Sequence, residues 1–271
     1  MSTLLVTNDD GVESPALIPL IRALDALDRV RAVNTIVPDR ERSWISKAVS
    51  RFSEIEVAER KGEPDDPRIV TTSGTPADCA NLGIHPVFEA KPDLVVSGIN
   101  VGLNHGLAFL SSSGTVGAAA EGVIAGLPAV AISIGVQGGH GRFVSHAHSE
   151  DAAVLWQRAS EVAAEIVGAV LEHGLPDGVD LLNVNLPENV DRDTPRVITE
   201  LARVGYDALF SRQPNGRFAY DYQGLIERRA TEGPNDHRVL RDGHVSITPL
   251  ALPHAADFDG PLRSALEVPG K

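Results

Sequence analysis

The sequence predicts an α/β fold built on a mostly parallel central sheet, and three observations carry that reading. Short apolar runs recur along the chain, at Leu4 to Val6, Val30 to Val37, Asp93 to Ser97, Ala129 to Ile134 and Leu181 to Leu186, with helical stripes between them. Strands that alternate with helices are the pattern of βαβ units in a parallel sheet. Hydrophobic residues make up 42% of the 271 residues and aromatics only 4%, so aliphatic side chains carry the core, as expected of a sheet covered by helices. The connections between the early elements are short, which favours neighbouring elements in one layered unit. The expected architecture is therefore a Rossmann-like three-layer core to about residue 200 within a single domain, 1–271. A C-terminal β-hairpin extension and a last strand follow from about 201 to 253, with a loose tail over 254–271.

The first stretch, Leu4-Leu5-Val6-Thr7-Asn8-Asp9-Asp10-Gly11, reads as a buried strand that breaks into two carboxylates and a glycine. In open α/β sheets ligands bind at that end of a strand. Asp9 and Asp10 face one ligand only if the strand has ended between them, and Gly11 permits such a turn. Two ionised carboxylates this close repel each other, which a divalent cation or a proton at raised pKa relieves. The alternative is a solvated turn, since Asn, Asp and Gly are ordinary turn residues.

Ser14-Pro15 then reads as an N-cap and first helical proline ahead of the stripe Leu17, Ile18, Leu20, Ile21, Leu24 and Leu27. Pro38 to Ser43 leaves the second strand as a charged loop, and Val49 to Glu59 alternates in part, as an exposed antiparallel strand does. Pro64-Asp65-Asp66-Pro67 is a turn, and Ile69 to Thr72 is a short strand. Thr75-Pro76-Ala77-Asp78 repeats the cap-plus-proline signal, which makes Asp78 a helix-start residue rather than a catalyst.

After Ser97 the glycines and asparagines of Gly98 to Gly106 mark a loop whose backbone comes close to something. Ser111 to Gly122 passes from a hydroxyl-rich loop to a small-residue helix, whose first turn offers free N–H groups and a positive dipole end to an anion. The phosphate-loop, dinucleotide, nucleophile-elbow and zinc-protease patterns are absent. Gly135 to Gly141 reads as a flexible loop, faintly like a phosphate cradle without a capped helix behind it. His146-Ala147-His148 reads as a polar segment before a long helix near Ser149 to His173, since metal-binding histidines need further ligands. Leu181 to Leu186 is expected to be the last core strand. Beyond it Tyr206, Phe210, Phe218, Tyr220 and Tyr222 bring in aromatics around a Pro214-Asn215-Gly216 hairpin turn, and Val245 to Leu250 is one more strand.

Charge and cysteine usage narrow the function. A net charge of −13 argues against a broad nucleic-acid surface, yet a bound metal and aligned N–H groups reverse the local sign for a small phosphorylated substrate. The lone cysteine, Cys79, rules out an internal disulfide framework and a CxxC metal site. No apolar run approaches the roughly 18 residues of a membrane span, and no leader pattern precedes the first strand. The expectation is a soluble, cytoplasmic protein that uses no membrane.

Taken together, Thr7 to Gly11, Pro38 to Ser43, Gly74 to Cys79, Ser97-Gly98-Ile99-Asn100 and Ser113 to Ala119 resemble, in order, the motifs of the SurE family of stationary-phase survival proteins. Asn183-Val184-Asn185 and Val245 to Leu250 extend the match through most of the chain. The resemblance implies a divalent-metal-dependent phosphomonoesterase acting on nucleoside 5′- and 3′-monophosphates, sometimes on short polyphosphate. It implies one Mg²⁺ or Mn²⁺ per subunit held by Asp9, Asp10, Ser43 and Asn100, an all-oxygen set suited to such ions. Asp9 and Asp10 would serve catalysis, phosphate contacts would fall on Asn104, Ser113, Gly114 and Thr115, and the aromatic arm would assemble a homodimer or homotetramer.

The chain also departs from the family. Leu107 to Ser112 stands where members usually carry an acidic pair and a tyrosine, with one extra residue, and Trp44 replaces a small residue after the serine. Aliphatic surface there would weaken contacts that choose among nucleosides, so generic phosphomonoesters and shallow base discrimination are expected. The competing reading is a homologue that binds metal and phosphate without turnover. A receiver-like switch stands further off, because Ser43 and Asn100 are both present.

Overall fold

The first strand is central because its apolar middle is shielded from water: Leu4, Leu5 and Val6 are fully buried in β1 (Ser2–Thr7). The computed structural model describes residues 1–135, 140–229 and 231–253, with 263 and 266. Leu4 and Val6 join one apolar cluster and Leu5 the other, so the strand's alternation feeds both faces of the sheet. α1 (Leu17–Asp25) buries Leu17, Leu20, Ile21 and Leu24, a helical stripe. It begins later than Ser14-Pro15 suggests. The Ser14 carbonyl accepts from the Leu17 N–H in a turn, and no side chain caps the helix.

β2 (Val30–Pro38) lies parallel to β1. Of the segment from Val49 to Glu59 only β3 (Val57–Glu59) forms a strand, exposed and antiparallel to β4 (Val70–Thr72), as an edge allows. α2 (Pro76–Ile84) starts at the expected capping box. The Thr75 hydroxyl accepts from Asp78 N–H at 3.1 Å, and the Asp78 carboxylate accepts from Thr75 N–H at 2.8 Å.

β5 (Leu94–Val101) runs on through Gly98-Ile99-Asn100, which the sequence suggested as loop. Its pairing to the next strand resumes at Asn100 after a register shift beyond Ser97, and such a bulge re-aims the side chains beside it. The segment expected as a loop at Leu107 to Ser112 is helical, α3 (Gly106–Ser112). Its serine hydroxyls bond back to carbonyls four residues earlier, Ser111 to Leu107 at 2.6 Å and Ser112 to Ala108 at 3.0 Å. α4 (Gly114–Ile124) follows from an N-cap at Ser113.

β6 (Ala129–Gly135) is fully buried, and most of the glycine-rich loop after it lies outside the described residues. α5 (His140–Ala147) takes in His146, where a polar loop was expected, because Phe143 and Ala147 sit on one helical face against the core. α6 (Ala153–His173) packs beside α1. β7 (Leu181–Pro187) is not the last strand of the core. β8 (Arg196–Ile198) and, later, β13 (Val245–Leu250) extend the sheet past it, since a strand buried on both faces also needs pairing on both edges.

The arm lies outside that sheet. β9 (Arg203–Tyr206) pairs with β12 (Leu225–Arg229), and the hairpin of β10 (Phe210–Arg212) and β11 (Phe218–Tyr220) is nested between them, with Pro214 to Gly216 at its tip. α7 (Asp236–Arg241) leads back to β13 (Val245–Leu250), antiparallel to β7 and parallel to β8. The nine-stranded order is β3-β4-β2-β1-β5-β6-β7-β13-β8. One cluster packs α1 and α6 on one face, and the other packs α2 and α4 on the opposite face: three layers. Among the described residues no single helix is long and apolar enough to cross a membrane. The predicted tail, 254–271, lies almost wholly outside the described residues.

Candidate functional site

The turn after β1 is tied at both ends. The Asn8 amide accepts from Gly11 N–H and donates to the Gly11 carbonyl, each at 3.0 Å. Gly11 takes φ of +82°, and a Cβ there would lie 2.6 Å from the Arg40 carbonyl carbon, so no other residue fits. β1 ends at Thr7, and the two acids leave the turn in different company. Asp9 accepts from the Thr115 hydroxyl at 2.6 Å and also from the Thr115 backbone N–H, at the first turn of α4. Asp10 accepts from Val101 N–H at 2.9 Å, at the end of β5.

Burial raises the Asp9 pKa to about 6, with the Thr115 bonds opposing the shift. Burial, and then the charge of Asp9, raises the Asp10 pKa well above its ordinary value. The pair thus resists carrying two bare negative charges.

Asp9 opens on a cleft of about 690 Å³ that Ser43, Asn100, Asn104 and Ser113 also line. Asp10 sits beside this cleft. Asn100 is buried and gives its amide nitrogen to the Gly102 carbonyl at 2.6 Å, which leaves its oxygen as the end for a ligand. The exposed Ser43 hydroxyl donates to Glu41 at 2.6 Å. Its loop is strapped down: Arg42 N–H donates to the Asp9 carbonyl at 2.7 Å, Ser46 N–H to the Ser112 carbonyl at 2.9 Å, and Lys47 meets Glu121 at 2.6 Å. Trp44 and Ser46 hold φ of 60° and 52°, a strained region for side chains of this kind.

The residues expected to contact phosphate divide. Ser113 lines the cleft and caps Val116 N–H. Thr115 is fully buried behind Asp9, and Gly114 is the contact that lets α4 close in, since a Cβ there would lie 2.9 Å from the Asp9 Cβ. Asn104 is a hub. Its amide donates to Ser133 at 2.9 Å and Thr115 at 3.3 Å, its N–H donates to Asn185 at 2.7 Å, and its carbonyl accepts from Asn183 at 2.8 Å. A bound phosphoryl group would compete with Thr115 for one of those N–H groups.

Several residues that line the cleft or hold its lining in place escaped the sequence reading. Asn183 and Asn185 were visible only as part of a resemblance, although two asparagines at i and i+2 in an apolar strand mark one polar spot on one face. His105 is 3% exposed with its Nδ1 unpaired, lies 5.1 Å from the His237 ring, and is held neutral by burial and by that histidine, at about 3. Nothing local announced His237 or the carboxylate of Asp236, which accepts from Gly106 N–H at 2.7 Å and Ala202 N–H at 3.0 Å. Of the aliphatic surface expected at Leu107 to Ser112, Leu107 is exposed, but Phe109 changes the character of the wall. Phe109 turns into the cleft and meets Trp44 and Tyr222, so aromatic side chains come from the arm of the same chain.

The donor set fits a hard dication. Among the described residues no three of His, Cys, Asp and Glu gather as a metal cluster, but Mg²⁺ and its kin are commonly held by one or two carboxylates together with neutral oxygens, waters and substrate phosphate. None of the described residues lining the cleft is Lys or Arg, and the Arg42 guanidinium is engaged by the Ser73 carbonyl and Asp39.

A sheet of this kind, with two carboxylates, neutral oxygen donors and a helix N-terminus gathered at its carboxyl edge, defines a Rossmann-like protein whose site suits a cation and an anion together. The family model described as survival protein SurE matches residues 4–208, and the chain belongs to that family. It is 38% identical over 252 residues to the 5′-nucleotidase SurE of Methanocella arvoryzae, covering 92% of this chain and 91% of that protein. It is 37% identical over 254 residues to the 5′-nucleotidase SurE of Geobacter metallireducens, covering 92% and 91%. The crystal structure of the SurE protein from Aquifex aeolicus is similar at a TM-score of 0.71 with 32% identity, over 92% of this chain and 93% of that one.

Proposed function

We propose that this chain is a divalent-metal-dependent phosphomonoesterase that hydrolyses nucleoside monophosphates to nucleoside and phosphate. The observation that carries the reading is Asp9, set beside the first turn of α4 on a cleft shared with Ser43, Asn100 and Asn104, with Asp10 next to it at the end of β5. The names of the relatives, 5′-nucleotidases, support it. Asp9, Asp10, Ser43 and Asn100 are the residues that would hold one Mg²⁺ or Mn²⁺ per subunit. When bound, the ion supplies Lewis acidity toward the phosphoryl oxygens.

The chain's own residues do the rest. Asp9, fixed by Thr115 and facing the cleft, orients the attacking water and takes its proton at a carboxylate oxygen. The P–O bond to the nucleoside breaks, and the leaving oxygen is protonated from solvent. Asn104, Ser113 and the N–H groups at the start of α4 hold phosphoryl oxygens where charge develops. Phosphate release from a panel of nucleotides with Mg²⁺ or Mn²⁺, against the same panel with chelator, tests the reading: release that disappears with chelator is expected. Nucleotide binding without any release would put a non-catalytic homologue in its place.

A cytoplasmic location and a homodimer or homotetramer belong to the same proposal. The exposed Phe210 and Phe218 at the arm's tip support assembly. A strictly monomeric mass at micromolar concentration would overturn that part.

A further inference from the structure

Aromatic residues are scarce in this chain and are not scattered. All three tyrosines and one of the two tryptophans come together. Trp44, from the strained loop after β2, lies 5.9 Å from Phe109 of α3, 5.9 Å from Tyr220 and 6.0 Å from Tyr206 of the arm, and Phe109 lies 6.0 Å from Tyr222. The Trp44 contacts to Phe109 and Tyr220 are edge-to-face, at 77° and 71°. Rings that only meet at edges leave area unclaimed: Trp44 stays 46% and Tyr220 56% exposed. Trp44, Phe109, Tyr220 and Tyr222 line the same cleft as Asp9, Asn100 and Ser113.

Charge is distributed unevenly around this cleft. Among the described residues lining it, Asp9 is the one ionisable acid or base apart from two histidines and the tyrosines. Burial lowers both histidines, which keeps them neutral, and the Asp236 carboxylate is turned to the backbone of Gly106 and Ala202. One end of the cleft therefore suits a phosphoryl group with its cation, and the other suits a flat uncharged ring. Half-open rings beside a few placed polar groups are how small-molecule sites give affinity and orientation at once.

We propose that Trp44, Phe109, Tyr220 and Tyr222 form a stacking subsite for the aromatic part of the leaving group, the base of a nucleoside monophosphate. This rests on the phosphomonoesterase reading above and names what selects within it. Every base offers a π-face, so stacking tolerates sequence; the subsite separates nucleotides from sugar phosphates more than one base from another. Such a subsite is compatible with the shallow base discrimination expected from the sequence and adds a preference for an aromatic ester over an aliphatic one.

The experiment compares kcat/KM for AMP and for ribose 5-phosphate in the wild type, Trp44→Ala and Tyr222→Ala. AMP should be preferred by about tenfold or more in the wild type, and each substitution should lower the AMP value about tenfold while ribose 5-phosphate stays within about twofold. Equal losses on both esters would show that the rings only support the Ser43 loop, and unchanged ratios would remove the subsite. Tyr222→Ala guards against damage by Trp44→Ala to its neighbour Ser43. Phosphocholine is a further arm: a Trp44-dependent preference for it over AMP would assign the rings to a cation and overturn the proposal. Adenosine, which has no phosphate, separates this proposal from the one beneath it. It should quench the emission of exposed Trp44 whether or not any ester is hydrolysed, and the quench should be lost in Trp44→Ala. No quench at millimolar adenosine overturns the subsite, whereas quench without phosphate release overturns the phosphatase reading alone.

Discussion

The floor and the wall of the cleft are built differently. The floor comes from strand ends and the first turn of α4. Asp9, Thr115, Asn104, Ser133, Asn183 and Asn185 are buried and bonded to one another or to backbone. The wall comes from a loop with two residues at positive φ, a short helix and an arm of short strands, and its rings stand half open. Buried polar networks hold only one arrangement, because each unmade bond is costly. Half-exposed rings on peripheral segments tolerate change. The floor is therefore where the reaction is set, and the wall is where its substrates are sorted.

The largest expected effect strikes the floor. Asp9→Asn should lower kcat at saturating Mn²⁺ by a factor on the order of 10²–10⁴ for every ester, with little loss of thermal stability, since it removes charge from a pair that already resists it. Activity near wild type would break the distinction between the two regions. Ser43→Ala should act in the same direction and by less, because a neutral ligand contributes less charge.

The pH response of stability sharpens the same contrast. Burial lifts Asp9 to about 6 and lifts Asp10 in the same direction. A folded pKa above the unfolded value contributes stability that is present below the unfolded value, near 4, and lost as pH rises through the folded one. For Asp9 alone that is about 3 kcal/mol lost between roughly pH 4 and pH 7 in chelator. Saturating Mn²⁺ should reverse the trend, so the gain in melting temperature on adding it should be larger at pH 7 than at pH 5. A melting temperature indifferent to Mn²⁺ at pH 7 would remove the cation from the site.

Next is the clamp. Asn185→Leu leaves the Asn104 N–H without its acceptor and should cost about 1–3 kcal/mol in urea unfolding, with activity on AMP and ribose 5-phosphate falling together. Selective loss of AMP would show that the clamp serves the wall instead. The smallest effect belongs to the arm: Phe218→Ser at the exposed tip should change monomer stability by no more than about 0.5 kcal/mol. It should nonetheless reduce the mass seen by light scattering if the arm joins subunits.

Much of the floor was legible because its signals are local. The apolar run ending at Asn8-Asp9-Asp10-Gly11, the capping box at Thr75 and Asp78, and the Ser113 cap before small residues each lie within a few positions. The errors fell where local signals compete. Ser14-Pro15 has the composition of a cap, yet the turn closed by the Gly11 carbonyl delays the helix. The serines before Gly114 look like loop but bond back into α3. His146 was read by its polarity, while Phe143 and Ala147 decided its helix.

What the sequence determined by itself was the layered α/β core, the strand end that carries the acids, and the family to which these motifs belong. These follow from apolar periodicity, turn residues and caps, whose energetics are settled over one or two turns of chain. Only the tertiary structure decided that Asn104 is held by Asn183 and Asn185, that Asp236 pins Gly106, and that Trp44 meets Tyr220 while Phe109 meets Tyr222 at the cleft. Those pairings depend on sheet register, on a bulge after Ser97 and on how the arm folds back over α3. Periodicity says which face of an element is buried; it does not say which distant side chain will be waiting there.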